Sequence, residues 1–301
     1  MTHSRTLNPS HDASGPVSAR MAQLLEQLRS TRPLVQCLTN TVVSNFTANA
    51  LLALGAAPAM TDIQGEAGPF AEIADGMLIN LGTPDPEQRG AMREAAAARQ
   101  AGGRPWVLDP VAIGSLPIRT ALAAELVESR PAVIRGNPSE VLALTGGAGG
   151  RGVDTTDAPE AAVQAARQLV STGSADAVAI SGPVDLIVSS SATLSVPHGH
   201  ELLTQVVGGG CALGSVIGAF VTVAQDPAEA AAAGSLVWGL AAEDAAQRCQ
   251  GPGSFAVHLL DSLHGLRPED VAERCRVEAA DASNAADGAA AGAGQAEEAG
   301  R

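Results

Sequence analysis

Residues 206–215 read VVGGGCALGS, and this stretch gives the clearest indication of both the fold and the chemistry of the chain. Three glycines, Gly208, Gly209 and Gly210, precede Cys211, where an apolar helix of small residues is predicted to begin. Glycines let backbone N–H groups approach an anion, and a helix start adds roughly half a positive charge. The pattern therefore predicts an anion hole for a phosphoryl group and a lowered pKa for the Cys211 thiol. The alternative is a flexible glycine hinge beside a buried structural cysteine.

On both sides of this turn, short apolar runs alternate with stretches of helical periodicity. Strands are predicted at residues 34–38, 57–60, 77–80, 106–108, 132–134 and 177–180. Helices are predicted at residues 17–28, 42–54, 87–101, 118–128, 138–144 and 159–169. The strand runs are apolar on both faces, which is typical of a parallel sheet covered by helices on both sides. Beyond Ser181 the sequence predicts a hairpin of residues 185–188 and 193–196, and then helices at 211–223, 228–247, 254–262 and 268–276.

The composition suits one large α/β domain, since 46% of the 301 residues are apolar. We place this domain at residues 17–277. Residues 1–16 and 278–301, rich in small residues and acids, are expected to be disordered ends. The chain has no apolar run long enough to span a membrane and no pattern of a secretion signal. Four scattered cysteines fit a reducing compartment, so we expect a cytoplasmic protein.

The charged residues exclude several classes of function. The net charge is −14, so a nucleic-acid backbone would be repelled and nucleic-acid binding is not expected. All 18 basic residues are arginine, so the chain has no P-loop lysine, no protein-kinase strand lysine and no Schiff-base lysine. Any nucleotide chemistry must therefore rest on arginine, backbone N–H groups and a metal ion.

Ligands of open α/β sheets gather beyond the carboxyl ends of the strands, and four polar segments lie there. These are Thr39-Asn40, Asp109-Pro110, Arg135-Gly136-Asn137 and Ser181-Gly182. Asp109 and Glu140 are carboxylates past neighbouring strand ends, which suits Mg²⁺, although a turn residue and a first-turn helix acid are the simpler alternatives. Arg135 is a candidate to neutralise phosphate charge, or else forms a surface salt bridge. For Ser181, an N-cap or turn hydroxyl is as good an explanation of the sequence as a contact to a nucleotide.

The glycine turn resembles the anion-hole signature of the ribokinase-like superfamily. Most of that superfamily has Asp where this chain has Cys211, and Cys is typical of the hydroxyethylthiazole kinase branch. Six further segments carry the same resemblance, which runs from about residue 17 to 271. They are VQCLTNTVVSNFTANALLALGAAPAM (35–60), LINLGT (78–83), WVLDPVAIG (106–114), AVIRGNPSEVLAL (132–144), RGVDTTDA (151–158) and GPGSF (251–255).

The resemblance implies a three-layer α/β/α sandwich with a central, mostly parallel sheet. It implies ATP- and Mg²⁺-dependent phosphorylation of the hydroxyl of 4-methyl-5-(2-hydroxyethyl)thiazole in thiamine biosynthesis and salvage. It also implies a homotrimer with its active sites between subunits.

The resemblance also assigns residues. Cys211 would be the catalytic group that receives or polarises the hydroxyl proton. ATP would contact Arg135, Ser181, Gly209 and Gly210; the thiazole would contact Met60 and Gly208, with Asn40 a weaker candidate; and Asp109 and Glu140 would hold the metal. Without the resemblance, Met60 would be read as a core methionine.

One residue departs from the family pattern, because Gly209 stands where relatives usually have Thr. We expect a looser phosphate loop and lower turnover from this change. Three rival functions stay open: a dehydratase of hydrated nicotinamide nucleotides, a thiazole- or thiamine-binding protein without turnover, and a kinase for the pyrimidine half of thiamine.

Three further groups of residues are given structural explanations. His198 and His200 are read as part of a polar loop rather than a metal pair. Asp154 and Asp157 are read as a loop near the nucleotide. The other cysteines, Cys37, Cys249 and Cys275, are expected to be buried thiols.

Overall fold

A computed structural model describes residues 16–147 and 158–280 of the chain. The segment around Asp154 and Asp157, most of the predicted N-terminal tail and residues 281–301 lie outside the described residues.

A nine-stranded sheet forms the centre of the fold, in the order β2-β1-β3-β4-β5-β6-β7-β8-β9. The strands are β1 Leu34–Leu38, β2 Ala57–Ala59, β3 Gly76–Asn80, β4 Val107–Asp109, β5 Val133–Gly136, β6 Ala177–Ile180, β7 Asp185–Ser189, β8 Thr193–Val196 and β9 Glu278–Ala279. Strands β1 to β6 pair in parallel, whereas β6 to β9 pair antiparallel. The prediction of a mostly parallel sheet is confirmed.

Helices connect the strands and cover the sheet. They are α1 Val17–Thr31, α2 Ser44–Leu54, α3 Ala67–Ile73, α4 Pro86–Ala101, α5 Pro117–Val127, α6 Pro138–Leu144, α7 Ala158–Ser171, α8 Gly209–Phe220, α9 Pro227–Ala246, α10 Pro252–Gly265 and α11 Pro268–Arg274. Six of these helices, α4, α5, α6, α9, α10 and α11, begin with proline, whose missing N–H costs nothing at that position.

Two apolar cores lie on opposite faces of the sheet. Alternate residues of β1 and of β3 to β7 contribute to the two cores, so that Leu78 belongs to one while its neighbours Met77 and Ile79 belong to the other. The first core contains residues from α1, α2 and α8 to α11, and the second contains residues from α3 to α7. The result is the predicted three-layer α/β/α sandwich.

The structure corrects several predicted element bounds. Helix α8 begins at Gly209, two residues before the predicted start, so the last two glycines belong to its first turn. Helix α3, a short 3-10 helix at Glu201–Gln205 and strand β9 were not predicted. Because Glu278–Ala279 pairs with β8, the sheet extends past residue 277, where the domain was predicted to end. Among the described residues, no helix is both long and apolar enough to cross a membrane.

Candidate active site

The carboxyl ends of the parallel strands place the candidate residues along one edge of the sheet. Asn40 follows β1, Asn80 ends β3, Asp109 ends β4 and Ser181 follows β6. Strand β1 lies between β2 and β3 in the sheet. The chain passes from β1 to β2 on one side and then to β3 on the other, so the strand order reverses between β1 and β3. Such a reversal opens a crevice at the carboxyl edge, and this is where ligands bind in open α/β sheets.

The glycine turn enters the site from Gly208, which is the N-cap of α8 and has a left-handed φ of 98°. A side chain there would be strained, and its Cβ would lie 2.9 Å from a ring carbon of Phe46. Glycine is therefore required by the turn itself. The sharp reversal places the first turn of α8 at the edge of the sheet.

The predicted anion hole corresponds to the first turn of α8. The N–H of Gly209 donates to the carbonyl of Val206, and that of Ala212 donates to the carbonyl of Gly208. The N–H groups of Gly210 and Cys211 have no acceptor within the described parts of the chain, as is usual at a helix start. Gly210 is exposed. These two N–H groups are thus available to an anion.

Arg135 lies beside this turn. A Cβ built on Gly210 would be 3.6 Å from both terminal guanidinium nitrogens of Arg135. The same guanidinium lies 3.7 Å from Oδ2 of Asp109, whose side chain is fully buried, while the Arg135 side chain is only 12% exposed. The predicted alternative, a surface salt bridge, is wrong, because the ion pair is buried in the site.

A chain of buried amides connects Asp109 with Cys211. Asn80 donates to Asp109 Oδ2 at 2.8 Å, and Asn40 donates to Asn80 Oδ1 at 3.0 Å. The Nδ2 of Asn40 also lies 3.6 Å from Sγ of Cys211. The structure therefore brings Asn40, Cys211, Asp109 and, through Asp109, Arg135 into one connected cluster.

The expectation of a lowered pKa for Cys211 is wrong. Burial raises the pKa of this thiol, the negative charge of Asp109 raises it further, and the hydrogen bonds from Asn80 and Asn40 and the charge of Arg135 only partly oppose this. Burial also raises the pKa of Asp109 to about 7, against the opposing effects of Arg135 and Asn80. Cys211 is consequently a protonated thiol at neutral pH.

Glu140 is held by the backbone of two segments. Its Oε1 accepts from the N–H of Ala112 at 2.9 Å, and its Oε2 accepts from the N–H of Asn137 at 2.8 Å, which closes a capping box at the start of α6. Ala112 has a left-handed φ of 59°, so the first bond fixes a strained turn just after Asp109. The simpler alternative of a solvated helix acid is wrong, since Glu140 is buried.

The donor set beside the glycine turn suits Mg²⁺. Oδ1 of Asp109 is buried and has no hydrogen-bond partner among the residues described, so it is free to act as a ligand. Glu140 is close enough to raise the pKa of Asp109, and each of its oxygens keeps a further lone pair. The described residues contain no cluster of three or more metal-ligating side chains, and Mg²⁺ at phosphate sites typically takes only one or two carboxylates.

A cavity of about 590 Å³ lies at the start of α8. Arg135, Ser181, Gly209 and Gly210 all line it, so the four predicted ATP contacts share one space. Other lining residues are Asp185, His198, His200, Leu203, Ser235 and Trp238. Its volume lies in the range of sites that hold ligands the size of a nucleotide.

Gly209 is tightly packed rather than loose. Its carbonyl accepts from Nε1 of Trp238 at 3.0 Å, and a Cβ at this position would collide with the carbonyl oxygen of Leu203 in the 3-10 helix. The expectation of a looser loop is therefore wrong, because the neighbouring backbone occupies the space of the missing side chain.

The remaining predicted residues lie in different surroundings. Met60 follows β2 on the same edge of the sheet and packs, partly buried, against the first core. Cys37 is buried as expected, whereas Cys249 and Cys275 are partly exposed, so that expectation is wrong for these two.

The buried positions and hydrogen bonds of His198 and Asn80 were not predicted from the sequence. His198 is a buried residue whose Nδ1 lies 2.9 Å from Oε1 of Glu243, and its Nε2 accepts from the N–H of Arg276 at 3.2 Å. Asn80 was counted as the last residue of a strand, and its place in LINLGT, at a strand end next to the β1 end, was the signal that could have identified it.

A sequence profile of the hydroxyethylthiazole kinase family matches residues 25–269. The hydroxyethylthiazole kinase of Clavibacter sepedonicus is 57% identical over 257 residues, which cover 85% of this chain and 93% of that protein. The enzyme of Cereibacter sphaeroides (strain ATCC 17025) is 47% identical over 262 residues, covering 87% of this chain and 99% of that protein.

Solved structures agree with these sequence matches. A hydroxyethylthiazole kinase from Pyrococcus horikoshii OT3 superposes with a TM-score of 0.79 at 36% identity, over 87% of this chain and 99% of that chain. A pyridoxal kinase from Staphylococcus aureus in complex with pyridoxal gives a TM-score of 0.51 at 16% identity, over 70% and 88% of the two chains, which is a likeness of fold alone. The predicted ribokinase-like fold is confirmed. From the profile match and the identity to these enzymes, the chain belongs to the hydroxyethylthiazole kinase family, which phosphorylates the thiazole alcohol in thiamine salvage.

Proposed function

We propose that this chain transfers the terminal phosphoryl group of ATP to the hydroxyl of 4-methyl-5-(2-hydroxyethyl)thiazole at the start of α8. The observation that carries the proposal is that the N–H groups of Gly210 and Cys211, beside the guanidinium of Arg135, have no acceptor among the residues that the structure describes. Phosphoryl transfer depends mainly on positioning and on neutralising charge, so these groups suit the reaction without any lysine.

Arg135 would supply the positive charge that neutralises the ATP phosphates. Its Nε is buried without a partner among the described residues, and its link to Asp109 is long at 3.7 Å. The guanidinium therefore has unused donors for phosphate oxygens, which it can bind in pairs. In this proposal the ATP phosphates replace Asp109 as its main partner.

Asp109, with Glu140 beside it, would hold Mg²⁺ through its Oδ1, which has no hydrogen-bond partner in the part of the chain that the structure describes. When bound, the ion would neutralise phosphate charge and draw the phosphate oxygens towards the sheet edge. Glu140 contributes first by fixing the turn at Ala112, and any contact with the ion uses its remaining lone pairs.

Cys211 would polarise the substrate hydroxyl as a neutral thiol. It receives a hydrogen bond from Asn40, and burial and Asp109 keep its pKa raised. A base of this kind has little thiolate at pH 7, but the loose transition state of phosphoryl transfer asks little of a base. We therefore assign Cys211 to positioning and polarising the hydroxyl. The new O–P bond would form as the bond to ADP breaks, and the hydroxyl proton would pass to an oxygen of the transferred phosphoryl group.

The nucleotide would occupy the cavity lined by Ser181, Gly209 and Gly210, with the thiazole on the side of Asn40 and Gly208. Ser181 follows β6, is partly buried and lines the cavity. The thiazole side is apolar, with Val43 and Phe46 packed next to Gly208. Met60 would complete this pocket, since a methionine sulfur packs well against an aromatic ring.

A homotrimer with shared active sites is part of the proposal. Val42 and Val207 flank the thiazole side and are each 66% exposed, and Ile63, three residues after Met60, is 52% exposed. Apolar side chains of this size beside a small-molecule site support a subunit interface there. The mass of the protein in solution, measured by light scattering, tests the trimer.

Free cysteines also support a reducing, cytoplasmic location.

The test of the proposed function is a substrate panel with the purified protein, ATP and Mg²⁺. The thiazole alcohol should yield ADP and thiazole monophosphate, and the hydroxymethylpyrimidine of thiamine should react far more slowly. Binding of the thiazole without product would support the rival binding protein. Conversion of hydrated nicotinamide nucleotides would support the dehydratase.

A further inference from the structure

Three hydrogen bonds hold the buried amide of Asn80 in place. Its Oδ1 accepts from the N–H of Gly82 at 3.0 Å and from Asn40 at 3.0 Å, and its Nδ2 donates to Asp109 at 2.8 Å. Asn80, at the end of β3, has no exposed surface.

The direction of these bonds is fixed by two backbone N–H groups, which can only donate. Gly82 N–H requires the oxygen of Asn80 on its side, so the NH₂ of Asn80 must face Asp109. In the same way Val43 N–H donates to Oδ1 of Asn40 at 3.2 Å, which turns the NH₂ of Asn40 towards Asn80 and Cys211. Neither amide can flip without leaving buried groups unpaired.

These fixed directions leave one group available at each end of the hydrogen-bonded series, an oxygen of Asp109 at one end and the thiol hydrogen of Cys211 at the other. At Asp109, Oδ2 is taken by Asn80 while Oδ1 has no partner in the described structure. At Cys211, the sulfur accepts from Asn40, so its own hydrogen is left to point elsewhere. The two amides also span the reversal of strand order, since Asn40 follows β1 and Asn80 ends the adjacent β3.

We propose that Asn80 is a positioning residue, which holds the phosphate side of the site at Asp109 in fixed register with the hydroxyl side at Asn40 and Cys211. The inference rests on the proposed function, since it assigns the two ends of the amide chain to the two reaction partners. The alternative is that Asn80 only stabilises the fold.

The variant Asn80→Asp separates these explanations. It keeps the size of the side chain and an acceptor for Gly82 and Asn40, and it replaces the donor that faces Asp109 with a carboxylate. We expect kcat to fall about 10–100-fold, as for residues that orient metal ligands, with little change in KM for the thiazole alcohol. Assays are run well below the measured Tm, so that the variant is folded.

The matched control is Asn49→Asp. Asn49 is exposed on α2, and within the described structure its side chain bonds only to Asn45, so the same substitution there should leave kcat and KM unchanged.

A second measurement does not depend on turnover. ADP is added with and without Mg²⁺, and the rise in Tm is recorded. In the native protein Mg²⁺ should increase the rise caused by ADP, whereas in Asn80→Asp this increment should be lost and the metal-free rise retained. If Asn80→Asp does not fold, Asn80→Ser is measured in the same two ways and should show the same losses in reduced form.

The inference is overturned if the folded variant keeps the native kcat and the native Mg²⁺ increment, with only its Tm lowered. That result would make Asn80 a purely structural residue. Failure of the proposed function looks different, because the native protein itself would then form no thiazole phosphate.

Discussion

The Sγ of Cys211 lies 3.6 Å from the Nδ2 of Asn40, so the sulfur at the start of α8 accepts a hydrogen bond from an amide at the end of β1. This contact, together with a raised thiol pKa, describes a group that orients a hydroxyl more than it removes a proton.

Cys211→Ala should therefore slow turnover by about 10²-fold or less, within the range for loss of a general acid–base group. The measurement is kcat with the thiazole alcohol at saturating ATP and Mg²⁺. Cys249→Ala is the control, because among the described residues Cys249 bonds only to the carbonyl of Ala246, and it lies outside the site. Unchanged turnover in Cys211→Ala would remove Cys211 from the catalytic residues.

Gly209→Thr should destabilise the protein, although the family resemblance leads us to expect Thr at this position. The new Cβ would meet the carbonyl oxygen of Leu203, and the 3-10 helix would have to shift to admit it. We expect the free energy of unfolding to fall by about 1–3 kcal/mol, as for overpacking in a core, and turnover not to rise.

The control for this change is Gly253→Thr, also in the first turn of a helix, where a Cβ meets nothing within 4 Å. Urea unfolding of both variants gives the comparison. A Gly209→Thr variant as stable as the native protein and faster in turnover would show that the packing at Leu203 is not limiting.

Glu140→Gln should lower stability whether or not Mg²⁺ is present. Both carboxylate oxygens accept backbone N–H groups, and the amide NH₂ would face either Ala112 or Asn137 donor to donor. Leaving one buried donor unpaired costs about 1–3 kcal/mol. Glu160→Gln, on an exposed first-turn acid of α7, should have little effect on unfolding. A loss that appears only in the presence of Mg²⁺ would instead make Glu140 chiefly a metal ligand.

Asp109 should make the stability of the ligand-free protein depend on pH. Burial raises its pKa to about 7 from an ordinary 3.8, so between these values the folded state holds a proton that the unfolded state has lost. The free energy of unfolding therefore falls as pH rises from about 4 to about 7, by at most about 1.4 kcal/mol for each pH unit.

Asp109→Asn removes this titration. Its stability relative to the native protein should increase by a few kcal/mol between low and neutral pH, measured by urea unfolding without nucleotide or metal. A difference between the two proteins that stays constant with pH would mean that the pKa of Asp109 is the same in the folded and unfolded states.

The sequence allowed the sheet to be predicted because its strands are short apolar runs with clear turn signals between them. Strands β1 and β6 match the prediction at both ends. Helix α3 escaped prediction because its seven residues, AGPFAEI, include both glycine and proline. Strand β9 has only two residues, and its existence depends on pairing with β8, which no local pattern encodes.

The candidate site was predictable where a residue follows a strand and less so where its role depends on a distant partner. Asp109 and Arg135 come from strands β4 and β5, whose pairing follows from the parallel order. The pKa of Cys211 could not be predicted from the helix start, because burial and the charge of Asp109 act through the fold. The contact of Gly209 with Leu203 likewise requires the 3-10 helix to be seen.

The central claim is that the first turn of α8 binds the phosphoryl group that is transferred. A crystal structure with a non-hydrolysable ATP analogue, Mg²⁺ and the thiazole alcohol tests it most directly. The terminal phosphate should lie within hydrogen-bond distance, about 3 Å, of the backbone nitrogens of Gly210 or Cys211, with Arg135 on its other side. A terminal phosphate bound away from residues 208–211 would contradict the account.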